Sequence, residues 1–208
     1  PNEPETFDTY RKFSQICMAI NLSSFGVSIF YAEPLLKVWL GEASPIVKDA
    51  AIFIPLIALG CIFNSISALP YITQIAAGWT SLKVKFNSIQ TLVFIALLFI
   101  IGPKFGPIAG PILWVVINVS YVFIEAPLMH RRFFKGQYIY WLLKDVLIPI
   151  VLATFLLKLT TFVFPVFDNL WIEFIKISCI SLSVLVISAY SFSFTRKEIQ
   201  KVRSRIRS

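Results

Sequence analysis

Few side chains in this sequence could do chemistry, and most of those recur at helical spacing. Ser14, Cys17, Asn21, Ser24, Ser28 and Tyr31 follow one another by three or four residues. So do Gly60, Asn64, Ser67, Tyr71, Gln74 and Gly78, and again Pro111, Trp114, Asn118, Tyr121 and Glu125. A helix turns by about 100° per residue, so each set falls on one face. Two kinds of chemistry suit such faces. Small and amide side chains can form close-packed seams, hydrogen-bonded from helix to helix. The bulkier polar groups can instead line a hydrated cavity and bind polar ligands. Asn21, Asn64, Tyr71, Gln74, Trp114, Asn118, Tyr121 and Glu125 are the candidates for that second role, and both readings stay open.

Groups for covalent or acid–base catalysis are not gathered anywhere. The sole histidine, His130, falls in the basic run "HRRFFKGQ", where a solvated loop side chain is expected. No close carboxylate pair, phosphate-binding glycine loop or Cys/His metal-ligand spacing occurs, so neither an enzyme nor a cofactor or metal site is expected. Cys17, Cys61 and Cys179 read as small hydrophobes buried within apolar helices.

The elements that must position these residues follow from composition. Of 208 residues, 57% are hydrophobic and 14% charged, which is too apolar for a soluble domain of this size. A bilayer core is crossed by about 20 apolar residues in a helix. Such stretches predict six transmembrane helices near 13–32, 50–77, 84–103, 107–127, 146–166 and 172–195. Pro55, Pro70, Pro111, Pro127 and Pro149 fall within or beside them, and a bend is expected at Pro70. The acidic, proline-containing start, residues 1–9, reads as a cytoplasmic linker from a preceding half of a larger protein. Residues 196–208 read as a basic cytoplasmic tail that anchors the last helix.

Charge sets the orientation. With six spans, Arg11, Lys12, Lys83, Lys85, Arg131, Arg132, Lys135, Lys144 and the basic tail fall on one side of the membrane. Lys37, Lys48, Lys104, Lys158 and Lys176 fall on the other. The richer side is expected in the cytoplasm, with both ends of the chain. The positive charge thus belongs to membrane topology and not to a nucleic-acid partner. Glu125 is the only acid in the three stripes. An ionisable group at membrane depth is a functional candidate, unless Arg131, Arg132 or a lysine of the second loop neutralises it.

Several motifs, in this order, resemble the C-terminal part of polysaccharide exporters and O-antigen flippases. They are "YRK" with "AEPLLKVWLG" (Tyr10–Lys12, Ala32–Gly41), "ALPYITQIAAGWTSLKVKFN" (Ala68–Asn87), "GPKFGPIAGPILWVVINVSYVFIEAPLMHRRFFKG" (Gly102–Gly136) and "WLLKDVLIP" (Trp141–Pro149). The resemblance spans nearly the whole chain and implies an all-α integral membrane protein. Its six helices would form most or all of one lobe of a two-lobed transporter of roughly 12 to 14 helices. It further implies a multi-pass protein of a bacterial inner membrane that moves a lipid-linked oligosaccharide or polysaccharide by alternating access. The missing N-terminal lobe would complete the cavity. Lys83, Lys85, Arg131 and Arg132 would attract the carrier diphosphate or lipid headgroups. Glycosyltransferases or a glycan polymerase are the partners such a role would bring. An exporter of small cations of the related multidrug group, or a non-transporting partner or enzyme of glycan assembly, are the alternatives.

Overall fold

The computed structural model describes residues 3–192. The basic tail expected over 196–208 therefore lies outside the described residues. The described chain is helical, with no strand. Helix α1 is Pro4–Phe30, α2 Ala32–Leu40, α3 Ile46–Ala76, and α4 Thr80–Phe105. Helix α5 covers 109–133, α6 Tyr138–Val163, and α7 Leu170–Ser191.

Five helical stretches are long and apolar enough to cross a membrane: Pro4–Phe30, Ile46–Ala76, Thr80–Phe133, Tyr138–Val163 and Leu170–Tyr190. The third is 54 residues long, far beyond what one crossing of a roughly 30 Å core requires. Its direction changes at Gly106, whose φ of 62° is open to glycine without steric cost. Beyond that turn α5 runs antiparallel to α4. Lys83 meets Glu125, Asn87 meets Tyr121 and Gln90 meets Ser120, one number rising as the other falls.

Helical conformation extends back to Glu3, into the expected linker. The reason lies at the helix's inner face. Phe7 and Tyr10 are both buried, and both rings pack tilted against Phe134 at 5.2 Å. Apolar anchors at positions 7 and 10 give the N-terminal turns a surface to pack on, and packing rather than propensity sustains a helix.

Packing is uneven. Helix α1 lies at the centre, against α3 on one side and α6 and α7 on the other. Helix α5 packs on α3, and α4 packs chiefly on α5. The core gathers Met18 and Leu22 of α1 and Val122 and Met129 of α5. Trp141, Val146 and Leu157 of α6 and Ile177 and Val184 of α7 complete it. Helix α4 buries no residue at all. Its Phe, Leu and Ile side chains face outward, which a lipid surround accommodates and water does not.

Three π-helical turns interrupt the helices, at Leu22–Gly26, Tyr121–Glu125 and Leu142–Leu147. The last two directly precede Pro127 and Pro149. A proline has no N–H to give and its ring crowds the carbonyl four residues back. Those carbonyls belong to Phe123 and Asp145, both inside the widened turns. Each turn carries one buried carboxylate, Glu125 or Asp145. Pro70 sits inside α3 without ending it. Of the cysteines, Cys17 and Cys61 are half-buried, and Cys179 is exposed where burial was expected, because it lies on the outward face of α7.

Candidate functional site

The candidate residues meet most closely where α3, α4 and α5 converge. Glu125 is buried to 1% exposure and Gln74 to 0%. Gln74 Nε2 donates to Glu125 Oε1 at 2.8 Å, and Lys83 Nζ donates to Oε2 at 2.9 Å. Two helices, α3 and α4, thus supply one donor each to a carboxylate on a third, α5. The Lys83 ammonium also lies 3.9 Å from the Tyr121 ring centroid and 5.3 Å from that of Tyr71. An aromatic face attracts a cation electrostatically, and more so away from water. Tyr121 in turn donates its hydroxyl to Asn87 Oδ1 at 2.8 Å. Lys83, expected among the headgroup-attracting bases, is consumed by Glu125. Lys85 and Arg131 are exposed.

The other expected residues divide. Asn118 is buried, donates to the Trp114 carbonyl at 2.7 Å and leaves its Oδ1 without a partner. Trp114 packs edge-on over Gly60, so that a Cβ built there would lie 2.1 Å from Trp114 Cδ1. That is a seam, the first of the two roles weighed for the stripes. Asn21 is half-buried, donates to the Cys17 carbonyl, and lines a void of about 10 Å³ with Ser14, Ser65 and Trp141. Such a space has room for about one water. Asn64 and Tyr71, by contrast, are exposed, two turns apart on the same face of α3. The eight residues therefore do not converge on one cavity within this chain.

A second carboxylate site escaped the sequence reading. Asp145 is buried to 1% exposure and accepts from Arg11 Nε at 2.6 Å, Arg11 Nη2 at 2.9 Å and Gln15 Nε2 at 2.7 Å. The fork geometry is that of a bidentate guanidinium–carboxylate pair. Tyr140 covers the Arg11 guanidinium at 4.6 Å. Beside it, His130 sits among Tyr10, Phe134, Tyr138 and Trp141, with ring centroids 4.9 to 5.8 Å away. The expectation of a solvated loop histidine is corrected here: His130 is 1% exposed and belongs to the helical segment Ala126–Phe133. Its Nδ1 lies 2.8 Å from the Ala126 carbonyl, which requires a proton on that nitrogen. Aromatic neighbours from α1 and α6 bury it. The basic run around it concealed this.

A third pair closes the opposite end. Lys176 donates to Glu173 Oε2 at 2.8 Å and to the Pro165 carbonyl at 2.9 Å, while the Phe167 N–H donates to the same Oε2 at 3.0 Å. The α6–α7 loop is thereby tied to the first turn of α7. On that end Glu33 and Lys37 form an ordinary helix-surface pair. Its hydrogen bond holds the Glu33 carboxyl below its usual value and raises the Lys37 ammonium.

Of these features, the Glu33–Lys37 and Glu173–Lys176 pairs could be read from sequence as helix neighbours, and a lysine of the second loop was among the partners expected for Glu125. Arg11 and Asp145 are 134 residues apart, and nothing local links them. Fold and site define a multi-pass membrane protein whose buried charges are neutralised in pairs. The chain matches no family model, no curated protein and no solved structure.

Proposed function

We propose that this chain crosses the membrane six times and forms one lobe of a two-lobed transporter of lipid-linked glycans. The lobe would work by alternating access in the inner membrane of a bacterium, with both of its ends cytoplasmic. The sixth crossing follows from reading the turn at Gly106 as a loop between two spans. The observation that carries the transport reading is the exposure of Asn64 and Tyr71 at mid-length and towards the end of α3. An amide facing hydrocarbon is costly, so this face borders water or another protein. Amide and phenol groups on a wall of this kind suit sugar hydroxyls. The second lobe would supply the opposite wall, and Lys85 and Arg131 would draw the anionic carrier toward it. Glycosyltransferases or a polymerase would hand the glycan over.

The cation-exporter alternative wants a free acid in the cavity, and Glu125 is instead held by Lys83 and Gln74. A non-transporting partner or an enzyme of glycan assembly has no feature that favours it.

The experiment uses the full-length protein in its own cell. Asn64→Ala with Tyr71→Ala is compared with Leu92→Ala on the outward face of α4, at matched protein abundance. Surface glycan falls several-fold in the first and is unchanged in the second. Undiminished glycan from the α3 double variant would rule out this face as the transport wall.

A further inference from the structure

At the end of the bundle where α3 and α5 finish, a cavity of about 550 Å³ opens between them and the start of α1. Arg132 and Lys135 line it, with Thr6 and Thr73, and its remaining walls are Ala76, Ala77, Phe133 and Phe134. We propose that this cavity binds the phosphate headgroup of an anionic phospholipid, as a resident lipid and not as transported cargo.

Three observations carry this. The first is charge. Arg11, Lys83 and Lys176, the basic groups held between helices by an ion pair, each have a carboxylate within 2.9 Å, whereas Arg132 and Lys135 are exposed at the cavity mouth. Arg132 and Lys135 form no ion pair among the described residues, and both face the same space. A neighbouring cavity of about 570 Å³ shares Lys135 and Phe134 but holds Asp8 and the already paired Arg11, so an anion is better served on the Arg132 side.

The second is preorganisation. The Arg132 guanidinium carbon lies 4.3 Å from the Trp79 ring centroid, and Trp79 and Phe133 meet edge to face at 5.8 Å. Trp79 is itself set by the turn at Gly78, with a φ of 68°, and by its N–H to the Gln74 carbonyl at 2.8 Å. This cation–aromatic contact holds the guanidinium at the cavity, where its N–H groups can make a bidentate phosphate contact.

The third is position. An indole is favoured at the membrane–water boundary, and basic pockets between helix ends on the cationic side suit phosphate headgroups. The alanine and phenylalanine walls then cover the glycerol and the upper acyl chain. The volume falls within the roughly 300–1,000 Å³ of small-molecule clefts.

The test uses the full-length chain in nanodiscs of phosphatidylcholine doped with phosphatidylglycerol or cardiolipin. Retained lipid is counted by mass spectrometry after transfer to mild detergent. The wild type retains the anionic lipid in preference to phosphatidylcholine, and millimolar inorganic phosphate does not displace it. Arg132→Gln or Lys135→Gln lowers retention roughly fivefold each, and the pair about thirtyfold. Lys144→Gln, a basic residue outside the cavity, leaves lipid retention unchanged. Arg132→Lys keeps the charge without the fork, binds an intermediate amount, and serves if the glutamine variants unfold. Wild-type retention in the paired variant or in Arg132→Lys, or equal retention of phosphatidylcholine, overturns the proposal. Displacement by phosphate overturns it too, and assigns the cavity to a soluble anion.

Discussion

Lys83 and Glu125 meet across α4 and α5 at 2.9 Å, with the carboxylate 1% and the lysine side chain 13% exposed. It is the charged contact among three that set the register of the most exposed helix, with Asn87–Tyr121 and Gln90–Ser120, since α4 buries no residue of its own that could do so. Removing a single partner of a buried pair strands the other charge, at roughly 3–5 kcal/mol, whereas replacing both by apolar groups is near neutral. Lys83→Met and Glu125→Leu should each lower the thermal unfolding midpoint in detergent, and the double variant should recover most of the loss. A double variant as unstable as the worse single one would show that the pair is not part of the register lock.

Gly60 makes a sharper case. Any Cβ there would overlap the Trp114 indole at 2.1 Å, so the α3–α5 seam must open or Trp114 must turn. Overpacking of this kind costs about 1–3 kcal/mol. Gly60→Ala should therefore destabilise the protein by that order, and Gly60→Ala with Trp114→Leu should be more stable than Gly60→Ala alone. Gly110, which a Cβ would leave with no neighbour within 4 Å, should accept alanine with little effect.

At the opposite end, Glu173 ties the α6–α7 loop by accepting from the Phe167 N–H and from Lys176. Glu173→Ala should speed amide exchange at Phe167 and its neighbours at least tenfold, by the cost of about 1.5–3 kcal/mol for a hydrogen bond to a charged group. Exchange in the core around Val122 should not change. Uniform acceleration throughout the chain would mean that the residue supports the whole fold instead.

The turn at Gly106 makes a topological prediction. If α4 and α5 cross separately, Lys85 and Lys135 lie on one side of the membrane and Lys104 on the other. In a background with Cys17, Cys61 and Cys179 replaced by alanine, Lys104→Cys should react with an impermeant thiol reagent from the outside only. Lys85→Cys and Lys135→Cys should react from the inside only. Labelling of all three from one face would remove the sixth crossing.

The apolar stretches and their punctuation were legible from sequence, because membrane spanning depends on length and hydropathy, which are local. The break between α4 and α5 was legible for the same reason: Lys104 separates two apolar stretches of spanning length. So was the face shared by Tyr71 and Gln74, or by Tyr121 and Glu125, since helical periodicity places them. What each face meets was not. Periodicity aligned Asn64 with Gln74, yet one is exposed and the other buried against Glu125. His130 read as a loop residue because its buriers, Tyr10 and Trp141, come from distant segments.

Sequence alone determined that the chain is helical and apolar enough for a membrane. Tertiary structure alone decided which charges are spent. Arg11 finds Asp145 and Lys83 finds Glu125 across distances of 134 and 42 residues, while Arg132 finds no acid among the described residues. The reason is physical. Helix formation and spanning hydropathy are properties of a residue and its near neighbours, but neutralising a buried charge takes a partner, and only the packing of helices chooses it.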